Sequence, residues 1–468
     1  MGERGDDPRV TLPAPIAEQL APAPDPLDAY ARVSHLPCPI LLDSAERGPR
    51  GRFSFVSADP VAVIRRSGDP EALAAAVELA GGITAPVIPG LPPFQAGIAG
   101  YIGYEWAATL ERLPPLAPDE LALPDLLLGV YDWVLAWDHE LQSAWIISRG
   151  LGGRDAARRV RQVRDLLAQA PRGHPVNDAP AAGAMTTWPV DALGPLAVRS
   201  PFDRAAYEAA VERVRQYILA GDVFQVNISQ RFEMPVAGTP LELYRRLRTR
   251  HPASFAALIE TDEFAVLSAS PERFLRVDGR MVETRPIKGT RPRGATPAAD
   301  RTLAAELEAS AKDRAENVMI VDLMRNDLYR VSVPGSVRVP ELCVLESHPT
   351  VHHLVSTVES ELAAGAGAVE LVRAAFPGGS ITGAPKVRAM EIIGEVEPTR
   401  RGVYCGSIGY LSVTGAADFS IAIRTAVVRS GKAYVGAGGG VTADSDPAAE
   451  YDETIAKAGG VLAALAGR

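Results

Sequence analysis

Short apolar runs between about residues 33 and 149 predict a series of β-strands. The runs are separated by Gly, Pro, Asp and Ser, which favour turns. A glycine-rich stretch at residues 97–104 indicates a strand whose backbone is approached closely by a neighbour. We expect this half of the chain to form one layer of sheet, with strands at residues 39–42, 53–56, 61–64, 126–137 and 144–148.

Apolar residues at helical spacing dominate several later segments. Asp203 is a candidate N-cap, and Gly221 is a candidate end of the helix between them. A helix is also expected to begin at Asp446, with Pro447 in its first turn. The other predicted elements are a basic helix near 154–169, a strand at 223–229, two helices within 301–328 and several strands within 403–442.

A Pro-, Ala- and Gly-rich passage at residues 170–200 is typical of a linker or a long surface loop. We therefore expect an N-terminal region at 1–185 and a second region at 200–468. Helices and strands follow one another in irregular order, which favours an α+β fold over a doubly wound one.

The composition limits the classes of partner. The chain has 468 residues and a formal net charge of −9, which argues against a nucleic-acid-binding protein. No apolar run approaches the ~20 residues that a membrane span needs. The charged N-terminus lacks the apolar centre of a signal peptide, so we expect a cytoplasmic protein that does not bind membranes. The three cysteines lack the spacing of a metal site and do not indicate a disulfide framework.

Residues 283–294, ETRPIKGTRPRG, surround Lys288 with positive charge. Arg285 and Arg291 lie three positions away on either side, and like charge lowers the pKa of a lysine. A lysine with a lowered pKa has more neutral amine at neutral pH and is a better nucleophile. The segment thus predicts a reactive lysine, with a solvated basic surface loop as the alternative.

The segment resembles a signature of the chorismate-utilising enzymes. Six further motifs resemble that family in the same order, and all lie between about residues 200 and 468: SASPERF at 268–274, DRAEN at 313–317, PGGSITGAPK at 377–386, DFSIAIRT at 418–425, GAGGGV at 436–441 and EYDET at 450–454. The N-terminal part resembles the family more weakly. The resemblance implies a chorismate-binding α+β fold of stacked β-sheets flanked by helices.

The resemblance also implies an activity, the amination of chorismate at C4 to give 4-amino-4-deoxychorismate for the folate precursor 4-aminobenzoate. In the family mechanism the Lys288 amine attacks C2 while Glu272 assists loss of the C4 hydroxyl, and ammonia then enters at C4 and expels the lysine. The alternative for Glu272 is a structural salt bridge to Arg273 or Arg276.

Further roles follow from the resemblance. Glu316 and Glu453 are expected to bind Mg²⁺, which carries the ring carboxylate of the substrate. Glu450 either joins the metal through a water or neutralises Lys457. The expected substrate-binding residues are Gly289, Thr290, His353, Tyr404, Arg424, Gly438, Gly439 and Gly440. The glycine triplet is expected to follow a strand and precede the helix that carries Glu453.

The PGGSITG segment lacks the GxxxxGK[ST] pattern of a phosphate loop, so nucleotide binding is disfavoured. Its sequence instead predicts the start of a helix, with Thr382 as N-cap and Pro385 at the first helical position.

Three other functions are alternatives. Anthranilate synthases share nearly all these motifs but typically have Ala where Lys288 stands. Isochorismate and salicylate synthases use a lysine to activate water at the position of Gln225, which disfavours water addition here. The third is a catalytically silent regulator that binds chorismate or tryptophan.

Two partners follow from the same resemblance. The chain contains no glutamine amidotransferase motif, so ammonia is expected from solution or from a separate glutaminase subunit. Residues 41–44 resemble an element that binds tryptophan in relatives, which makes Ser44 a candidate tryptophan-binding residue. A serine at an ordinary strand end is the alternative.

Overall fold

The computed structural model describes residues 15–48, 50–83, 85–171, 187–194, 196–349 and 351–468. Residues 172–186, in the predicted linker, lie outside this part of the chain. The helices are α1 Pro26–Val33, α2 Ala72–Leu79, α3 Ala107–Leu110, α4 Ala156–Leu167, α5 Arg204–Leu219, α6 Pro240–Arg250, α7 Pro297–Ala309, α8 Ala311–Tyr329, α9 Ala368–Ala375, α10 Lys386–Val396 and α11 Pro447–Leu465. Single 3₁₀ turns lie at Tyr104–Trp106, Leu151–Gly153, Asp191–Leu193 and Gly379–Ile381.

The strands of the N-terminal region are β1 Ile16–Leu20, β2 Ile40–Asp43, β3 Phe53–Ser57, β4 Ala62–Arg66, β5 Gly97–Ile102, β6 Leu126–Tyr131, β7 Trp133–Asp138 and β8 Ser143–Ser148. They are followed by β9 Trp188–Pro189, β10 Arg199–Ser200, β11 Gln225–Pro235, β12 Phe255–Glu260, β13 Ala265–Ser270, β14 Arg273–Asp278, β15 Met281–Thr284, β16 Ile287–Pro292, β17 Arg338–Ser347, β18 Val351–Glu361, β19 Gly383–Ala384, β20 Ser407–Ser412, β21 Ala417–Ile421, β22 Thr425–Arg429 and β23 Lys432–Val441.

Two antiparallel sheets carry the fold, which confirms the α+β class. The larger sheet has 13 strands, in the order β1-β8-β7-β3-β2-β12-β13-β22-β23-β11-β10-β9, with β19 paired to β11. The second has 10 strands, in the order β16-β18-β15-β14-β21-β20-β5-β6-β4, with β17 paired to β18. Both sheets mix strands from before and after the predicted linker, so the two sequence regions build one pair of sheets together.

The expectation that the first strands form one layer is wrong. β4, β5 and β6 lie in the 10-stranded sheet, whereas β2, β3, β7 and β8 lie in the other. The apolar run at 126–137 is split at Asp132, where the chain passes from one sheet to the other. Asp132 is fully buried and pairs with Arg154 and Arg159 at 3.1 and 3.0 Å. A continuous apolar run indicates that both faces of a strand are buried. Because both strands are buried in this way, the apolar pattern does not show that the chain changes sheet between them.

Of the three N-cap residues that the sequence predicts, two cap helices in the structure and one does not. The Asp203 and Asp446 carboxylates accept hydrogen bonds from the N–H groups of Ala206 and Ala449, which confirms both N-caps. The prediction of Thr382 as an N-cap is wrong. Pro385 occupies the N-cap of α10, and the Thr382 hydroxyl donates to Gly378 O at 3.1 Å.

Helix α8 packs on β16 and β18, and α11 packs on β23 and on α5. These two helices therefore bring side chains to the ends of the two sheets where the candidate catalytic residues lie. No helix in the described part of the chain is both long and apolar enough to cross a bilayer.

Candidate active site

Lys288 lies in a β-bulge of β16. In the pairing of β16 with β18, Ile287 lies opposite Val355 and Thr290 opposite His353, so Lys288 and Gly289 together face one residue of the partner strand. Gly289 has φ +84°, a left-handed conformation that glycine adopts without a steric penalty. A bulge changes the direction in which the side chains of a strand point. At this bulge, the Lys288 amine donates a hydrogen bond to Ser380 O at 2.9 Å.

Burial lowers the pKa of the Lys288 amine. The direction of this shift is the one that the sequence predicts. The predicted cause is wrong. Arg285 pairs with Glu346 at 2.6 Å and Arg291 with Asp313 at 3.0 Å, so both cations are neutralised. Lys288 instead faces a mainly acidic site. The neighbouring Glu316, Glu272 and Glu453 oppose the shift, and Lys457 adds to it.

The Glu272 carboxyl is buried at the start of β14, with 4% of the residue exposed. Burial raises its pKa to about 7, while an interaction with the Ser380 side chain and the charge of Lys288 act in the opposite direction. A carboxyl with this pKa can donate and accept a proton near neutral pH. The salt-bridge alternative fails, because Arg273 pairs with Asp418 and Glu283 and Arg276 pairs with Asp278.

Three glutamates from α8 and α11 gather near Lys288. Burial raises the pKa of Glu316 and the charge of Glu453 adds to this shift, so the two carboxylates lie within electrostatic reach although their helices are distant in sequence. Glu450 is buried, and its Oε1 accepts from Ser445 at 2.7 Å. Its Oε2 is buried and has no hydrogen-bond partner among the described residues. Lys457 pairs with Glu453 at 2.5 Å, which disfavours the alternative in which Glu450 neutralises this lysine.

The donor set of these carboxylates suits Mg²⁺. No group of three or more His, Cys, Asp or Glu in the described residues could hold a metal ion by itself. Mg²⁺ characteristically takes one or two protein carboxylates and completes its shell with water and substrate oxygens. Glu316 and Glu453 therefore fit this ion, and the unpartnered Oε2 of Glu450 is an acceptor that a metal-bound water would satisfy.

The triplet Gly438–Gly439–Gly440 lies inside β23, not after it as expected from the sequence. A Cβ at Gly440 would lie 1.8 Å from Gln225 Nε2, and one at Gly439 would lie 2.9 Å from Glu450 Oε2. A side chain at either position would displace a buried polar group. The triplet thus gives Gln225 and Glu450 room to approach the strand.

Arg424 has a half-buried guanidinium that makes no ion pair or hydrogen bond within the described residues. It has φ +49°, an uncommon conformation for a residue with a side chain, and burial lowers its pKa. A cation without a partner in a partly buried position is suited to bind an anionic ligand, and arginine binds carboxylates through two parallel hydrogen bonds.

His353 lies close to Arg424 and to the bulge. Its Nδ1 is 2.9 Å from Thr290 Oγ1, and it also hydrogen-bonds to the backbone of Gly289. Burial and the charge of Arg424 lower its pKa to about 3, so the imidazole is neutral at physiological pH. The structure thus brings together His353, Thr290, Gly289 and Arg424.

Tyr404 is buried, and its ring covers Gly436, where a Cβ would lie 2.3 Å from the ring. This contact is with β23, two residues before the glycine triplet, and no contact with Lys288 is found among the described residues, so a contact with substrate stays a prediction.

Two residues were missed as members of the site. Ser380 belongs to a motif recognised in the sequence, but its hydrogen bond with Lys288 requires the fold. In the sequence, Gln225 indicates only that a lysine is absent at this position, whereas in the structure its buried Oε1 has no partner among the described residues. Sequence spacing could reveal neither Ser380 nor Gln225, because each lies on a different element from the site residue that it approaches.

Ser44 lies apart from these residues, beside a cavity of about 530 Å³. Its hydroxyl donates to Phe53 O at 2.5 Å. The cavity is also lined by Arg52, Phe55 and Tyr410. A space of this size is typical of a small-molecule site.

Comparison with known proteins identifies the family. The family model of chorismate binding enzymes matches residues 40–463. The chain is 42% identical over 456 residues to aminodeoxychorismate synthase component 1 of Salmonella typhimurium, covering 94% of this chain and 96% of that protein. It is 41% identical over 423 residues to anthranilate synthase component 1 of Streptomyces coelicolor, covering 89% and 81%. The crystal structure of anthranilate synthase component I from Streptococcus pneumoniae aligns with a TM-score of 0.76 at 32% identity, covering 89% and 93%. The chain belongs to the family of chorismate-binding enzymes.

Proposed function

We propose that the protein is an aminodeoxychorismate synthase component 1, which aminates chorismate at C4 with Mg²⁺ as cofactor. The observation that carries the proposal is that Lys288 and Glu272 lie within electrostatic reach of each other and both interact with Ser380. The lysine has a lowered pKa and is fixed at 2.9 Å from Ser380 O, and the neighbouring carboxyl has a pKa of about 7. These are a nucleophile and an acid suited to one site at neutral pH.

The proposed chemistry has two displacements. The neutral Lys288 amine forms a bond to C2, the ring double bond shifts, and the C4–O bond breaks as protonated Glu272 donates its proton to the departing hydroxyl, which leaves as water. Ammonia then bonds to C4, the double bond shifts back, and the C2–N bond to Lys288 breaks. The Glu272 carboxylate is placed to take up a proton released in this second step.

Glu316 and Glu453 would hold the Mg²⁺ ion, which supplies a counter-charge for the substrate's ring carboxylate. Glu450 would bind through a water, using its unpartnered Oε2. The Lys457 ammonium, 2.5 Å from Glu453, would orient that carboxylate before the metal binds.

The remaining residues of the site would bind chorismate. Arg424 would take a carboxylate of the substrate, since its guanidinium has no protein partner among the described residues. The backbone N–H groups of the glycine triplet and Gly289 would add donors without side chains in the way. Neutral His353, with Thr290, would make a polar contact near the departing hydroxyl, and Tyr404 would close the carboxylate site.

Ammonia would come from a separate glutaminase subunit. The relative's name, component 1, implies a second component. We also propose that the cavity beside Ser44 binds tryptophan, because it combines aromatic rings with charged groups at its edge. Equilibrium dialysis with radiolabelled tryptophan would test this. We expect binding by the wild type and loss of binding for Ser44→Trp, which fills the cavity.

The function is tested by product analysis. The protein with chorismate, Mg²⁺ and ammonium at mildly alkaline pH should form a compound that an added lyase converts to 4-aminobenzoate. Anthranilate and pyruvate appearing without the lyase would contradict the proposal. That outcome would assign the chain to the anthranilate synthases, to which it is similarly close at 41% identity. A reaction without protein is the control.

A further inference from the structure

We infer that Ser380 is a positioning residue that couples Lys288 to Glu272, with its carbonyl holding the lysine amine and its hydroxyl facing the glutamate carboxyl. The inference rests on the proposed function for its role in catalysis. Ser380 lies at the centre of the 3₁₀ turn Gly379–Ile381 and is 8% exposed. It is the one residue of this turn that reaches both groups through different atoms.

The turn that carries Ser380 is fixed on both sides. A Cβ at Gly379 would lie 2.7 Å from Leu323 Cδ2, and one at Gly378 would lie 2.5 Å from Ile421 Cδ1, so the backbone packs directly against α8 and β21. Arg401 Nη1 donates to Ile381 O at 2.9 Å. A carbonyl held in this way has a defined position, which is what orienting a flexible lysine requires.

The acceptor that holds Lys288 is neutral. A carboxylate at hydrogen-bond distance would stabilise the ammonium form and raise the pKa of the lysine. The carbonyl of Ser380 instead binds an N–H at 2.9 Å without adding a charge. When the amine is neutral, this bond occupies one proton and leaves the lone pair free for the substrate. The charged groups facing the amine are Glu316, Glu272, Glu453 and Lys457.

The Ser380 hydroxyl interacts with the Glu272 carboxyl. The Ser380 side chain lowers the pKa of Glu272 against the effect of burial, and the charge of Lys288 acts in the same direction as Ser380. Removing the hydroxyl should therefore raise the pKa of Glu272 above about 7. Protonated Glu272 no longer stabilises the Lys288 ammonium, so the lysine should lose its proton at lower pH.

The test uses Ser380→Ala, with Ser380→Thr as the conservative variant and Ser332→Ala as the control. Ser332 is 7% exposed and donates to Ser360 Oγ at 2.8 Å, outside the site. The pH dependence of kcat/KM for chorismate consumption is measured at fixed Mg²⁺ and ammonium concentrations. We expect the alkaline limb to move up by about one pH unit in Ser380→Ala, the usual size of a hydrogen bond to a charged group. It should return toward the wild-type position in Ser380→Thr and stay unchanged in the control.

A second measurement does not depend on the reaction. Lys288 is modified with trinitrobenzenesulfonate in the absence of chorismate, and the extent at each pH is read from the peptide by mass spectrometry. Modification should begin at lower pH in Ser380→Ala than in the wild type, and Ser380→Ala should add no shift in a Glu272→Gln background. If Ser380→Ala does not fold, Ser380→Cys carries the same prediction.

The inference is overturned if both pH profiles of the Ser380 variants match the wild type, or if the shift persists when Glu272 is Gln. These outcomes are separate from a failure of the proposed function. Formation of anthranilate by the wild type would refute the assigned product while leaving the labelling result intact.

Discussion

At the scale of single residues, the site depends on burial more than on neighbouring charge. Lys288 has its pKa lowered and Glu272 has its pKa raised for the same reason, because both charged forms lose hydration in a buried position. The two nearby arginines that drew attention to the lysine are paired with carboxylates. The sequence therefore predicted the direction in which the lysine pKa is shifted, while the cause of the shift required the fold.

Lys288→Ala should lose most aminodeoxychorismate formation but still bind chorismate, since Arg424 and the metal site remain. The loss should appear in kcat with little change in substrate binding, because the missing bond forms only during the chemical step. Steady-state kinetics and calorimetric titration with chorismate measure the two effects. The control is Lys432→Ala, an exposed lysine of β23 paired with Glu233. Normal turnover by Lys288→Ala would reduce this residue to an electrostatic role.

The buried Glu272 carboxyl should lower the free energy of unfolding of the protein at high pH. Its pKa is about 7 in the folded state against an ordinary value of 4.5, so the folded state holds the proton over a pH range in which the unfolded state has lost it. This disfavours folding as pH rises from 4.5 to 7, and the full cost is present above that. Glu272→Gln should raise the free energy of unfolding at pH 8 by up to ~3 kcal/mol and change it little at pH 4.

Denaturant unfolding of Glu272→Gln at both pH values measures this effect, with the exposed Glu308→Gln as control. Equal stability changes at pH 4 and pH 8 would contradict the raised pKa. The same variant should be nearly inactive, because Gln cannot donate the proton to the departing hydroxyl.

At the scale of elements, the bulge in β16 and the helices α8 and α11 place the candidate catalytic and metal-binding residues close together. The sequence predicted both helices and their carboxylates from capping residues and motif order. It did not predict the bulge, because a register shift depends on the partner strand β18. Nor did it predict that the apolar run at 126–137 changes sheet at Asp132, since both halves are equally buried.

Gly289→Ala tests the bulge. Gly289 has φ +84°, and a Cβ there would lie 2.9 Å from Asp313 Cβ, so the bulge must shift and move Lys288. Gly279→Ala is a matched control, because Gly279 has φ +61° with nothing within 4 Å of a Cβ. Both variants should lose about 1 kcal/mol of stability from backbone strain. Only Gly289→Ala should also lose activity, by ~100-fold. Equal activities would show that the bulge does not orient the lysine.

Glu316→Gln and Glu453→Gln test the two helices as metal-binding elements. Each should weaken Mg²⁺ binding and abolish turnover, because one anionic ligand is lost. Calorimetric titration with Mg²⁺ in the presence of chorismate measures the binding directly. Asp452→Asn is the control, since Asp452 is adjacent in sequence but pairs with Arg204 at 3.0 Å. Unchanged Mg²⁺ affinity in either glutamate variant would exclude that residue as a ligand.

At the scale of the whole molecule, strands from both sequence regions alternate within the two sheets. The α+β class was predictable from the mixed order of elements, but the shared sheets were not, because strand order is set by pairings between distant residues. The cavity beside Ser44 and the site around Lys288 are thus parts of the same folded unit.

The whole-molecule prediction concerns the nitrogen source. The protein alone should use ammonium but not glutamine, because no glutaminase motif is found in the chain. Glutamine should support the reaction once a glutaminase subunit is added. The measurement is 4-aminobenzoate formed with each nitrogen source in the presence of the lyase. Glutamine-dependent product from the protein alone would contradict the need for a partner.

The most direct test of the account is to trap the bond between Lys288 and the substrate. The wild-type protein is mixed with chorismate and Mg²⁺ without ammonia, quenched, and analysed by mass spectrometry as intact protein and as peptides. The account predicts an added mass of chorismate less one water, located on the peptide that contains Lys288 and missing from Lys288→Ala. A complete absence of adduct while ammonium still supports full turnover, or an adduct on another residue, would contradict Lys288 as the nucleophile.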